Sequence, residues 1–97
     1  MGDQYRKIAY TVRARCWDGT KVDAKEVFDW MESNCVDSKA VGLRCLQDDE
    51  AKLWTAASKA WCALAPGDWV VQEPGGLGFY PVAGPIFEKT YYEYEPV

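Results

Sequence analysis

The side chains that could carry chemistry in this 97-residue chain are four cysteines, an acidic turn and a basic stripe. Histidine is absent, which removes the commonest general base and the usual partner of a catalytic serine or cysteine. Cys16 follows Arg15 and is the nearest candidate nucleophile. Alternation along a strand would turn these two side chains to opposite faces, so Arg15 would not activate the thiol. The sequence therefore predicts no catalytic residue and indicates a protein that is not an enzyme.

Metal and cofactor sites are not indicated either. The cysteines lack the close spacing of a zinc knuckle, although a four-cysteine site assembled only in space stays open. The acidic run Asp48-Asp49-Glu50 lacks the alternate spacing of a calcium-binding loop. The glycine-rich stretch at 75–78 lacks the Lys-Ser/Thr of a phosphate loop. We expect no metal and no cofactor, and free thiols buried as small apolar groups; the cysteines are Cys16, Cys35, Cys45 and Cys62.

A basic stripe offers one candidate binding site. Residues 5–16 alternate between apolar and polar side chains, which predicts one half-buried strand. Lys7, Arg13 and Arg15 fall on its polar side and could meet an anionic ligand. The same pattern is also typical of a solvated sheet face without a ligand.

Aromatic residues offer a second candidate, an interface with another protein. Trp30 lies off the apolar stripe of its predicted helix, so its ring either covers a neighbouring loop or is exposed. Near the C-terminus, Tyr92 and Tyr94 alternate with Glu93 and Glu95. Because large aromatic side chains dominate interface energetics, these five residues form the candidate interface.

Composition limits the class of protein. The length fits a single domain over residues 1–97, and the content of 48% hydrophobic residues excludes disorder. No apolar run approaches the roughly 20 residues that span a bilayer, and the polar N-terminus does not resemble a signal peptide, so we expect a cytosolic location. The net charge of −4 argues against a nucleic-acid partner. Basic residues concentrate near the N-terminus and acidic ones near the C-terminus, so we expect the first and last strands to be neighbours.

One helix is predicted after the turn at 17–20. Asp23 is the predicted N-cap, with Glu26 completing a capping box and Val22 contacting Val27 as a hydrophobic staple. Asn34 is the predicted left-handed stop. The apolar stripe of this helix consists of Ala24, Val27, Phe28, Met31 and Cys35.

Short strands account for most of the remaining chain. Residues 39–46, 69–71 and 79–82 are predicted strands. Because Pro81 cannot donate a ladder hydrogen bond, the last of these lies at a sheet edge or ends at Pro81. Residues 53–57 and 60–65 are predicted as two further strands, although a single helix over 50–65 stays open because of its alanines. We expect an α+β domain with one helix packed on a mixed or mostly antiparallel sheet of four to six short strands.

The C-terminal third resembles a set of small proteins of tailed bacteriophages and prophages. The resemblance rests on Pro66-Gly67-Asp68-Trp69, then Tyr80-Pro81, then Phe87-Glu88-Lys89-Thr90-Tyr91, with a weaker correspondence at Val12–Gly19. The turn at 73–78 is longer here, and residues 82–85 replace a basic segment of those proteins. The resemblance implies expression in the cytoplasm of a bacterial host, and it carries no functional residues.

Three functions follow from these observations. The first is a phage-encoded, non-enzymatic binding protein that acts on a host bacterial protein, in host takeover or counter-defence. The second is a small-molecule or nucleotide-binding protein that sequesters its ligand at the basic stripe. The third is a virion structural or assembly protein that forms a homo-oligomer through an open sheet edge, near Pro81 or the last strand.

Overall fold

The computed structural model describes residues 4–7, 10–35, 37–73, 78–90 and 92–93, with the backbone alone at 4–7, 10, 11, 38, 92 and 93. Its helices are α1 (Lys21–Ser33) and α2 (Gly84–Thr90), with a short 3-10 helix at Ser38–Ala40. Its strands are β1 (Gln4–Lys7), β2 (Tyr10–Cys16), β3 (Leu43–Gln47), β4 (Glu50–Thr55), β5 (Ala60–Leu64), β6 (Trp69–Gln72), β7 (Phe79–Val82) and β8 (Tyr92–Glu93). No helix in the described ranges is long and apolar enough to cross a membrane.

The strands form two antiparallel sheets, which confirms the predicted α+β class. A five-stranded sheet has the order β7-β6-β2-β1-β8, and a three-stranded sheet has the order β3-β4-β5. The strands are thus divided between two sheets, and α2 is a second helix beside the single helix that was predicted. Pro81 lies on the edge strand β7, as predicted.

The predicted continuous strand over 5–16 is wrong, because this segment folds back on itself. β1 pairs antiparallel with β2, with Tyr5 opposite Val12 and Lys7 opposite Tyr10. Residues 8 and 9, which join the two strands, lie outside the described residues. Both arms of a hairpin alternate with the same period, and Ile8-Ala9 contains no turn-forming residue, so the pattern could not show the reversal.

The first and last strands are neighbours, as the charge distribution predicted. β1 pairs antiparallel with β8, with Tyr5 opposite Glu93 and Arg6 opposite Tyr92. The backbone of the basic N-terminal segment therefore lies beside that of the acidic C-terminal segment.

Helix α1 begins earlier than the sequence predicted. Thr20 is the N-cap, and its hydroxyl oxygen accepts a hydrogen bond from the Asp23 amide at 3.0 Å. Val22 is 77% exposed, so the predicted staple is not formed. Ala24, Val27 and Met31 are buried as expected.

The end of α1 falls at the predicted residue but in another conformation. Asn34 is the C-cap, and its backbone N–H donates to the Met31 carbonyl. Its φ of −112° is not left-handed, so the predicted conformation is wrong.

Residues 50–65 form a hairpin, so the alternative of one helix is wrong. β4 pairs with β5 from Ala51 opposite Leu64 to Thr55 opposite Ala60. The pairing turns Leu53 and Leu64 inward, where they are 0% and 2% exposed. Burial of these leucines outweighs the helical preference of the alanines.

The core lies on both faces of the five-stranded sheet. Its larger part fills the space between α1, the three-stranded sheet and the near face of β6 and β7, with Trp17, Leu53, Val70 and Phe79 fully buried. A smaller cluster on the far face contains Val71 and Phe87. β6 is therefore buried on both faces and joins the two clusters.

Candidate interaction surface

The aromatic residues chosen from the sequence do not form a described surface. Trp30 is half-buried, and its ring packs against the core residue Phe79 with centroids 5.6 Å apart. Tyr92 and Glu93 have a described backbone in β8, and their side chains are outside the described part. Tyr94 and Glu95 lie outside the described residues. The predicted interface at the C-terminus therefore stays a prediction.

The basic stripe is not brought together as the sequence suggested. The hairpin breaks the alternation that grouped Lys7 with Arg13 and Arg15, since Lys7 pairs with Tyr10 and Arg13 with Gln4. Arg15 points toward α1, where its Nη2 donates to Asp23 Oδ1 at 3.1 Å. The Arg15 charge is thus occupied within the fold. Arg13 is half-buried, and it also has an interaction partner.

A different set of described residues forms an exposed surface on the three-stranded sheet. Leu53 of β4 faces the core, so its neighbours Lys52 and Trp54 face outward. The register places Arg44 and Ala63 beside Lys52, and Trp61 beside Trp54. We call the outward side chains of Arg44, Lys52, Trp54, Trp61 and Ala63 the outer face.

Arginine and tryptophan pack together at the centre of the outer face. The guanidinium carbon of Arg44 lies 4.2 Å from the centroid of the Trp61 ring, a cation–π contact. Trp61 also contacts Trp54, with centroids 5.5 Å apart and planes tilted by 59°. Trp61 is nevertheless 37% exposed, so its ring is held in place and still accessible.

Gly42 makes room for this arrangement. The Trp54 amide donates to the Gly42 carbonyl at 2.8 Å, which extends the sheet by one residue beyond β3. A Cβ atom at position 42 would lie 2.8 Å from Trp54 Cβ and 3.0 Å from Trp61 Cη2. A side chain at position 42 would therefore push the backbone of β4 away at Trp54 and displace the Trp61 ring.

Two grooves open on either side of the Arg44–Trp61 contact. One of about 340 Å³ is lined by Lys39, Val41, Gly42, Trp54 and Trp61. The other, of about 670 Å³, lies toward the β3–β4 turn and includes Arg44, Leu46 and Lys52 in its lining. Leu46 is 90% exposed and adds an apolar side chain to the rim of the larger groove.

The charge around the tryptophans is positive, although the chain as a whole is acidic. Arg44 and Lys52 are exposed in one row of the outer face, and Lys39 is exposed beside the smaller groove. Acidic side chains also line the larger groove, where Asp49, Glu50 and Asp68 contribute, whereas the described lining of the smaller groove contains no carboxylate. The tryptophan end of the outer face therefore favours an anionic ligand.

The cysteines do not form a reactive or metal-binding centre among the described residues. None of the four forms a disulfide, and all four are half-buried. The described residues contain no group of three or more side chains that could hold a metal ion. Burial raises the pKa of the Cys16 thiol, and the nearby carboxylates of Asp23, Asp68, Asp18 and Glu88 raise it further. This environment disfavours the thiolate, in contrast to that of a catalytic cysteine.

Sequence reasoning missed the outer face because it depends on strand register. The positions of Lys52 and Trp54 relative to Trp61 and Ala63 are symmetric about the turn at 56–59, which is a pattern typical of a hairpin with one polar face. That symmetry could have identified the tryptophan pair. The involvement of Arg44 and Gly42 required the pairing of β3 with β4 as well.

The fold and the surface define this chain as a small α+β protein with two antiparallel sheets and an exposed arginine–tryptophan face. No protein-family model, curated protein or solved structure matches the chain. The resemblance to bacteriophage proteins therefore stays a prediction.

Proposed function

We propose that this chain is a non-enzymatic binding protein whose outer face takes an acidic segment of a protein partner. The observation that carries the proposal is the exposed Trp61 ring held between Arg44 and Trp54. The bacteriophage resemblance supplies the proposed setting, in which the partner is a bacterial host protein in the cytoplasm.

The residue types support binding of a protein. Tryptophan and arginine are the residues most enriched at interface positions whose truncation costs about 2 kcal/mol or more. Trp61 and Arg44 already fix each other's orientation, so little side-chain freedom is left to lose on binding. Leu46 adds exposed apolar area beside Arg44 and Lys52.

The charges support an acidic partner. Arg44 and Lys52 would meet carboxylates of the partner, and Lys39 would meet a further one at the smaller groove. Trp54, Trp61 and Val41 leave apolar space in that groove for a proline or an aliphatic side chain of the same segment.

The test uses defined peptides. A random-peptide display library is selected on the folded protein, and enriched sequences are synthesised and titrated by tryptophan fluorescence. We expect the enriched peptides to be acidic and Trp61→Ala to weaken their binding at least about 30-fold, the equivalent of 2 kcal/mol. Arg44→Glu should abolish binding, whereas Lys25→Glu, an exposed lysine on α1, should leave it unchanged. Peptides without acidic residues, or binding that is insensitive to both outer-face variants, would refute the proposal.

A nucleotide is the second candidate ligand, because indole rings and guanidinium groups also stack on bases. The observation that favours it is the combination of Trp61 with Arg44 and Lys52 on one accessible face. Titration with mononucleotides in the same fluorescence assay separates the two candidates. Saturable binding of a nucleotide that Trp61→Ala abolishes, together with no enriched peptide, would favour the nucleotide.

A further inference from the structure

The outer edge of β5 is an open strand edge. β5 ends the order β3-β4-β5, and among the described residues no other strand pairs with its far side. Ala60, Trp61 and Ala63 are exposed, as is Ala65 just beyond the strand. Natural proteins usually protect such edges with charges, prolines or bulges, and β5 itself contains none of the three.

The hydrogen-bonding groups on this edge can be assigned from the ladder. The Trp54 amide donates toward β3, to the Gly42 carbonyl. The backbone N–H and C=O groups of successive residues in a strand point to opposite sides. Those of Leu53 and Thr55 therefore point toward β5, where these residues pair with Cys62 and Ala60. The amide and carbonyl groups of the intervening β5 residues, Trp61 and Ala63, therefore point away from the sheet.

We propose that β5 pairs antiparallel with β5 of a second copy of this chain, about a two-fold axis through Cys62. In that register Trp61 of each copy lies opposite Ala63 of the other. The outward amides and carbonyls of these two residues then exchange four hydrogen bonds. The two three-stranded sheets become one sheet of six strands with a continuous outer face.

The side chains around the axis are self-complementary, which favours a second copy over an unrelated strand. No charged residue occurs in Ala60–Leu64, so the two-fold axis brings no like charges together. The Trp61 ring of each copy meets the small Ala63 of the other. The exposed edge ends at Ala65, whose amide donates to the Asp68 carboxylate at 2.9 Å.

Sedimentation velocity over a concentration series tests the dimer. We expect the mass to rise from the 11.0 kDa of one chain toward twice that value. Ala63→Pro removes the outward amide without touching the bonds to β4, and it should weaken the dimer at least about tenfold. A wild-type chain that stays monomeric at the highest concentration, or a dimer that Ala63→Pro leaves unchanged, would overturn the proposal.

Cross-linking tests the register independently of variant stability. Cys62 faces its own counterpart as a non-hydrogen-bonded pair, whose Cα atoms lie about 4.5 Å apart, within the reach of two linked sulfur atoms. Dibromobimane alkylates two thiols with loss of two bromides. It should therefore join the two copies through Cys62, and Cys62→Ser should prevent this cross-link. Dimers that form without Cys62 cross-linking would refute the register. Peptide titration of the wild-type chain, below and above the concentration at which it dimerises, reports the proposed function separately, so failure of the dimer is distinguishable from failure of that function.

Discussion

Arg15 on β2 and Asp23 on α1 form an ion pair, with Nη2 of the arginine 3.1 Å from Oδ1 of the carboxylate. Asp23 Oδ2 also accepts a hydrogen bond from the Asp18 amide at 3.0 Å. One carboxylate thus fixes the first turn of α1 to the strand below it and to the preceding loop. This contact explains why Arg15 does not belong to a ligand-binding stripe.

The Arg15–Asp23 pair predicts the effect of removing the carboxylate. Asp23→Ala should lower the free energy of unfolding by about 1–3 kcal/mol, since it removes two hydrogen bonds to a carboxylate that is 13% exposed. Urea denaturation measures this change. Glu26, 66% exposed and 3.8 Å from Arg15, is the control, and Glu26→Ala should cost less than about 0.5 kcal/mol. Equal losses of unfolding free energy for the two variants would show that the Arg15–Asp23 contact stabilises the fold no more than the longer Arg15–Glu26 contact.

The start of α1 shows how far sequence alone could predict the fold. Thr20-x-x-Asp23 and Asp23-x-x-Glu26 both resemble a capping box, so the pattern did not distinguish them. In the structure, Asp48 Oδ1 also accepts the Lys21 amide at 2.9 Å and stabilises the earlier start. That contact joins residues 27 positions apart, and local sequence carries no information about it.

The other elements also divide into those that local sequence predicts and those that depend on contacts between distant residues. Strands were predicted at 39–46, 53–57, 60–65 and 69–71, and the structure has them at 43–47, 50–55, 60–64 and 69–72. The start of the first was wrong, because residues 38–40 form a 3-10 helix. The division into two sheets and the outer face depend on which strands pair. Register is a tertiary property, because a strand's side chains face the core or the solvent according to what the rest of the chain covers.

The stacked rings of Trp69 and Phe87 predict that α2 is essential to stability. Their centroids are 4.1 Å apart with planes 6° from parallel, and Phe87 is 2% exposed. Phe87→Ala should cost about 3 kcal/mol, because it leaves a cavity on the far face of the sheet. Ile86→Ala on the same helix, where Ile86 is 59% exposed, should cost much less. Chemical denaturation of both variants compares them, and similar losses would contradict the assigned packing of α2.

The Cys16 environment predicts a dependence on alkaline pH. Its pKa is raised by burial and by neighbouring carboxylates, so the folded state favours the neutral thiol. This contribution to stability is fully present below the unfolded pKa of about 8.5, and it is lost as the pH rises through the higher folded pKa. Cys16→Ser should remove this part of the alkaline loss of stability.

Alkylation by iodoacetamide measures the same property directly. The rate at Cys16, followed by mass spectrometry of the folded protein, should reach half its maximum at a higher pH than in the chain unfolded in guanidinium. A rate that is already maximal at neutral pH would contradict the raised pKa and would restore Cys16 as a candidate nucleophile.

Gly42 predicts a linked loss of stability and binding. Gly42→Ala places a Cβ atom 2.8 Å from Trp54 Cβ, which moves only with the β4 backbone, and 3.0 Å from Trp61 Cη2, which the exposed ring can relieve by turning. We expect the pairing of Gly42 with Trp54 to be strained, the Arg44–Trp61 contact to be lost, and the affinity for acidic peptides to fall as it does in Trp61→Ala. The difference in fluorescence between chains with and without Trp61→Phe isolates Trp61 from the other four tryptophans, and peptide titration reports binding. Ala57→Gly, in the exposed turn of the same hairpin, is the control for a change of one methyl group. If Gly42→Ala shifted the fluorescence and left peptide affinity unchanged, the fixed orientation of Trp61 would not be what the partner recognises.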